Sequence, residues 1–300
     1  MCGSGERGGR LYGGIEAGGT KFVCAMGASP DDIGEPARFP TSAADPRETV
    51  AQVVEWFKEQ AARRGPLTAV GVGSFGPVDL REGRISTTPK TAWRSFPLRQ
   101  ALEEALGVPV ALDTDVNAAA VGEQRWGAAH GLSDFLYLTV GTGIGGGAMA
   151  NGRLMHGAAH PEMGHILIPR HEIEREDFRG VCPWHLNCLE GLASGPSIER
   201  RWGKPAFELE PEHPAWELEA CYLATGLVTL ICTLSPQCIV LGGGVMGQEH
   251  LFPRIRLKVE ELLNGYVPAP PIVPPAQRWC GVLGAIALAQ ELEPALDRVG

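Results

Sequence analysis

Gly13-Gly14-Ile15-Glu16-Ala17-Gly18-Gly19-Thr20-Lys21-Phe22 is the stretch from which the fold of this chain is read. Apolar, strand-forming residues flank its Gly-Gly pair on both sides, so Leu11–Glu16 and Lys21–Met26 are expected to form a β-hairpin. Glycines permit the positive φ angles that turn consecutive backbone N–H groups toward one anion. Gly18 and Gly19 are placed to do this, with the Thr20 hydroxyl and Lys21 beside them. Glu16, at the strand end, could hold a Mg²⁺ through water. A plain hairpin turn would also explain the glycines, but it needs no Thr, Lys or acid.

Further along, Gly141-Thr142-Gly143-Ile144-Gly145-Gly146-Gly147 repeats the arrangement. Phe135–Val140 reads as a strand before it and Ile144–Ala150 as a strand after it, so it is not the G-x-G-x-x-G that opens a helix in dinucleotide sites. Neither loop is a G-x-x-x-x-G-K-[ST] P-loop. Two such turns could clamp one triphosphate from opposite sides. A third cluster, Gly242-Gly243-Gly244, follows the strand Gln237–Leu241, where a flat base could approach the backbone. Helices are expected at Pro46–Arg64, Leu98–Leu106, Asp115–Trp126, Leu189–Trp202, Pro214–Leu234, Leu251–Leu263 and Leu283–Leu292, alternating with strands that include Leu67–Val72 and Val108–Leu112. This is an α/β pattern. Each half opens on a glycine-turned hairpin, which argues for two related lobes facing each other across a cleft.

Asp113-Thr114-Asp115-Val116-Asn117 joins a strand to a helix. Asp115 stands where a helix N-cap belongs. It is equally placed to accept a proton from an alcohol during phosphoryl transfer. Cys182-Pro-Trp-His185-Leu-Asn-Cys188 offers three soft ligands at i, i+3 and i+6, a spacing suited to Zn²⁺, with a fourth expected from His156, His160, His165 or His171. Two free cysteines beside a chance histidine is the plainer alternative. A closed set of ligands would make the metal structural, fastening Pro169–Cys188. Glu162, His165 and Glu190 flank this knot as donors and acceptors suited to sugar hydroxyls, although Glu190 alone could be a solvated loop charge. Cys24, Cys221, Cys232 and Cys238 lie in apolar surroundings and read as buried small hydrophobes.

Three hundred residues, 44% hydrophobic and 20% charged, suffice for a full core. The net charge of −9 argues against nucleic-acid or anionic-membrane partners. The segment Met1–Arg10 carries no apolar run, and no stretch reads as a membrane span, so the cytoplasm is the expected location.

Together these motifs resemble the ROK family (repressors, open reading frames and kinases) of the actin-like ATPase superfamily, and within it the bacterial fructokinases. The resemblance is carried by Gly13–Phe22, Gly71-Val-Gly-Ser74-Phe-Gly76-Pro77, Thr88-Pro-Lys90, Thr114-Asp115-Val-Asn117, His160-Pro-Glu162-Met-Gly-His165 and Cys182–Pro196. It implies a ribonuclease H-like fold with a small lobe, 11–115, joined by a C-terminal helix at about 284–296. The large lobe would span 116–283, with a zinc loop at 156–190. It implies ATP with Mg²⁺ as phosphoryl donor, a hexose as acceptor, Asp115 as catalytic base, and Gly76, Thr114, Asp115, Glu162, His165 and Glu190 at the sugar. The zinc ligands would be His165, Cys182, His185 and Cys188, with His171 in reserve. Most family kinases have Asp where this chain has Glu16, Asn-Asp where it has Thr114-Asp115, and a third cysteine where it has His185. All three changes resemble the fructokinase branch, so fructose is the expected substrate, with glucose, mannose or an N-acylhexosamine as alternatives. A homodimer is also implied. A DNA-reading repressor of the same family would need a further domain, and only ten residues precede the first strand.

Overall fold

The computed structural model describes residues 10–88 and 90–293. Met1–Gly9, Pro89 and the last residues of the expected C-terminal helix, 294–296, lie outside them. The chain divides into two compact units, one running up to Trp126 and resuming at Gln277, the other spanning Gly127–Ala276.

In the first unit β1 (Leu11–Ala17) and β2 (Lys21–Gly27) form the expected hairpin, with Ile15 opposite Cys24, and β3 (Ala37–Pro40) extends it. Helix α1 (Pro46–Arg64) begins where Asp45 Oδ1 accepts from the Arg47 N–H at 2.9 Å, and Pro46 sits in its first turn. Then come β4 (Leu67–Ser74), the short pair β5 (Val78–Asp79) and β6 (Arg84–Ile85), α2 (Leu98–Leu106), β7 (Val110–Thr114) and α3 (Asp115–Trp126). The sheet order is β3-β2-β1-β4-β7, with β1, β4 and β7 parallel.

The second unit repeats this plan. Its strands are β8 (Phe135–Val140), β9 (Ile144–Ala150), β10 (Arg153–Leu154), β11 (Cys238–Gly242) and β12 (Ile272–Val273), in the order β10-β9-β8-β11-β12. Here β8, β11 and β12 are parallel, and β9 and β10 antiparallel. Helices α4 (Leu189–Ala193), α5 (Gly195–Trp202), α6 (Ala215–Leu234) and α7 (Leu251–Leu263) complete it. Trp216, Tyr222 and Leu227 of α6 and Ile255 and Val259 of α7 share one buried core with Leu136, Leu138, Ile239 and Leu241 of the sheet.

Helix α8 (Cys280–Gln290) returns to the first unit and settles how its sheet is covered. Side chains alternate across a strand. Ile15 and Ala17 join Val53 and Phe57 of α1 on one face of β1, while Tyr12 joins Val282 and Ile286 of α8 on the other. Glycines let α8 lie directly on the sheet. A Cβ at Gly14 would stand 2.4 Å from the Val282 carbonyl oxygen, and one at Gly71 1.7 Å from that of Ala285. Helix α3 packs against α8 just as closely, since a Cβ at Gly284 would stand 1.6 Å from the Ala118 carbonyl oxygen. This contact places α3 in the first unit, which runs up to Trp126 and resumes at Gln277.

Three expectations change. The single helix over Leu189–Trp202 is two, because Ser194 is extended and Pro196 restarts the chain at the head of α5. Of the four cysteines read as buried, Cys24 and Cys238 are buried, while Cys221 is half-buried and Cys232 exposed. Helix α6 is long and apolar enough to cross a membrane by length and composition, contrary to the sequence reading. Its apolar side chains are packed into the core of the second unit.

Candidate active site and metal centre

In the first unit the candidate residues gather at the C-terminal ends of parallel strands, where Ala17, Ser74 and Thr114 stand in register. The Phe75 N–H donates to the Ala17 carbonyl at 2.8 Å and pins two of these ends together, just before Gly76. In the first turn the Gly18 N–H donates to Lys21 O at 2.9 Å. Thr41, beyond β3, holds the turn from outside: its Oγ1 donates to Gly18 O at 2.8 Å and its N–H to Thr20 O at 3.0 Å. No sequence signal marked Thr41. Lys90 also comes to this turn, its Cε 3.4 Å from where a Cβ on Gly19 would be. The Thr88–Lys90 segment was singled out from sequence, but Lys90 was given no role there. Burial raises the Glu16 carboxyl above the usual carboxylate range, and neighbouring Lys21 opposes that shift.

Asp115 is the first residue of α3, and the capping role belongs to its neighbour. Thr114 Oγ1 accepts from the Asn117 N–H at 3.2 Å. Buried Asp113 is a brace, since its Oδ1 accepts from the Thr114 N–H at 2.7 Å and from Asn117 Nδ2 at 2.8 Å. A Cβ on Gly73 would lie 2.5 Å from the Ala118 Cβ and 3.3 Å from the Asp115 Cα, so the head of α3 sits directly on the end of β4. Half-buried Asp115 is thereby fixed at a strand end, where its Oδ1 accepts from the Val116 N–H at 2.9 Å.

In the second unit the other two glycine clusters meet. Gly243 has φ +94°, and a Cβ there would stand 2.4 Å from Val140 O; a Cβ on Gly141 would lie 3.7 Å from the Gly244 nitrogen. Gly242, Gly243 and Gly244 therefore adjoin Gly141-Thr142-Gly143 at the ends of β11 and β8. Within that turn the Gly141 N–H donates to Gly143 O at 2.9 Å, and the Gly195 N–H donates to Gly141 O at 2.7 Å. Glu190, in the first turn of α4, reaches the same place: its Oε2 accepts from the Ile144 N–H at 3.0 Å. Sequence reading placed Glu190 beside the knot and not against this turn.

Glu162, exposed, precedes a 3₁₀ turn, Met163–His165, that lies against β9, where a Cβ on Gly164 would stand 1.8 Å from Ile144 O. This turn delivers His165 to the Cys182–Cys188 loop. The ligand atoms of His165, Cys182, His185 and Cys188 all lie within 4.8 Å of one another. His165 Nδ1 is 3.7 Å from Cys182 Sγ and 3.5 Å from Cys188 Sγ, and His185 Nδ1 is 4.0 Å from Cys182 Sγ. Ligand atoms on a tetrahedral zinc are separated by roughly 3.3–3.8 Å, from Zn–S and Zn–N bonds of about 2.3 and 2.05 Å. The set therefore fits a metal ion, and the Gly191 N–H donating to Cys188 Sγ at 3.3 Å suits a thiolate. The reserve residue His171 is employed elsewhere. Its N–H donates to the Tyr222 hydroxyl at 3.2 Å, and its Nδ1 accepts from Ile173 at 3.3 Å.

Two sheets of one topology, each opening on a glycine-turned hairpin, define an actin-like ATPase of the sugar-kinase kind. The family profile described as ROK matches residues 12–292, and the chain belongs to the ROK family. It is 41% identical to the fructokinase of Zymomonas mobilis subsp. mobilis, over 95% of this chain and 98% of that one. Identity to the fructokinase of Lactococcus lactis subsp. cremoris is also 41%, over 86% and 87%. The ROK hexokinase structure from Thermus thermophilus superposes with a TM-score of 0.81 at 31% identity, covering 95% of this chain and 99% of that one. Relatives named glucokinase match at 26–30% identity.

Proposed function

We propose that this protein is an ATP-dependent fructokinase, transferring the γ-phosphoryl group of ATP to O6 of D-fructose. The observation that carries the substrate is the gap in identity, about 40% to relatives named fructokinase against 26–30% to those named glucokinase. Asp115 accepts the hydroxyl proton as the sugar oxygen attacks, a role compatible with its half-buried place at the end of β7, where Thr114 accepts the Asn117 N–H. The turns Gly18–Lys21 and Gly141–Gly143, with Gly242–Gly244, hold the nucleotide, and Glu16 faces the magnesium that accompanies it. Gly76, Thr114, Glu162, His165 and Glu190 contact the sugar, His165 using the ring nitrogen not turned toward the cysteines. Zinc held by His165, Cys182, His185 and Cys188 supplies a structural crosslink, not chemistry. A homodimer fits the exposed Leu167, Trp184 and Leu186 beside the candidate metal site, and the cytoplasm is its proposed location.

The test is a panel of hexoses with ATP, following ADP release, with Asp115→Asn as control. Fructose should be preferred, and the variant should lose about 10²–10⁴-fold in kcat while sugar binding persists. Absence of product with every sugar would sink the kinase reading. Glucose preferred over fructose would sink the substrate, and near-normal turnover in the variant would remove Asp115 as base.

A further inference from the structure

Glu16 projects from the face of β1 that α8 covers, and the helix meets it without a side chain. A Cβ built at Gly281, in the first turn of α8, would fall 2.6 Å from both Cδ and Oε2 of Glu16 and 3.0 Å from its Cγ. That is well inside van der Waals contact. The helix has no room to step aside, because its backbone already rests on Gly14, Gly71 and the Ala118 carbonyl. Nor does the local backbone ask for glycine. Gly281 lies outside the left-handed region, and in a helix interior glycine is a poorer former than every residue but proline. What the missing Cβ provides is the space in which the Glu16 carboxylate stands.

We propose that Gly281 is a positioning residue for the kinase reaction: the notch it leaves in the first turn of α8 sets where the Glu16 carboxylate stands beside the Gly18–Lys21 turn. The inference rests on the reading of Glu16 as the acid that faces nucleotide-bound magnesium. A single added Cβ at 281 meets only the far end of a flexible side chain, so alanine there pushes that carboxylate off its place.

Gly281→Ala tests this with two readouts besides turnover. Its melting temperature should equal or exceed that of the wild type, because alanine favours the helix. Its affinity for Mg·ADP, measured by calorimetry, should fall about tenfold, and the KM for Mg·ATP should rise while that for fructose stays constant. Glu16→Asp, one methylene shorter, should recover part of the lost affinity when combined with Gly281→Ala. Wild-type Mg·ADP affinity in Gly281→Ala overturns the proposal, and so does a loss that Glu16→Asp fails to lessen. Glu16→Gln alone separates the two readings. If it binds Mg·ADP as the wild type does, the magnesium role of Glu16 fails. If it binds weakly while Gly281→Ala is normal, only the positioning role fails.

Discussion

Glu219 lies one turn into α6, fully buried, and neither of its carboxyl oxygens has a hydrogen-bond partner among the described residues. Burial pushes its pKa well above the usual range, and Arg201 opposes that only in part. Arg201 is already committed to buried Glu174, with its Nη2 2.9 Å from Glu174 Oε2, and Tyr222 donates to the same oxygen at 3.0 Å. The folded protein therefore keeps the Glu219 proton at pH values where the unfolded chain releases it. Stability from this group is fully present below the unfolded pKa and is lost as pH rises toward the folded one. Glu219→Gln removes the penalty. Its melting temperature should exceed that of the wild type by a margin that widens by about 2–4 °C between pH 5 and pH 8. Equal slopes in the two proteins would contradict this. Sequence showed an acid inside an apolar helix but not its isolation, which depends on Arg201 being claimed from another segment. Thr114 and Asp115 carry the same lesson. Both are competent caps, and only the geometry of the helix start assigns the duty to Thr114.

At the scale of elements, the metal loop depends on short segments that are ordered by contacts distant in sequence. Cys188 ends the knot and immediately caps α4 through the Gly191 N–H, and Glu190 of α4 grips the Ile144 N–H. Cys182→Ser should abolish binding of one equivalent of zinc by elemental analysis and lower the melting temperature by on the order of 5 °C. Zinc content unchanged from the wild type would remove Cys182 from the ligand set. The three ligands in Cys182–Cys188 were legible because their spacing is local. Spacing alone left the fourth open among His156, His160, His165 and His171, and only the family resemblance pointed to His165, which the structure brings to the cysteines. The fit of Gly164 under Ile144 is what delivers His165. The break between α4 and α5 was announced by Ser194-Gly195-Pro196, but an uninterrupted apolar pattern hid it.

Across the whole molecule, the presence of two related α/β halves was legible because each half carries its own hairpin with a glycine turn. The short strands β3, β5, β6 and β10 were not, having four residues or fewer and little alternation. Nor was the close approach of α3 to α8, which glycine contacts allow and no change in composition marks. Deleting the chain from Gln277 onward should leave the amides of β8 and β11 protected from hydrogen exchange while those of β1 and β4 exchange freely. Protection retained in β1 and β4 would contradict the role given to α8. That role also bears on synthesis. The second unit is one uninterrupted stretch and can close while the ribosome is still translating. The first unit, although begun earlier, waits for α8 to emerge. Until then the Gly14 and Gly71 floor of its sheet stays open to water, so β1 and β4, made before the second unit, are sealed after it.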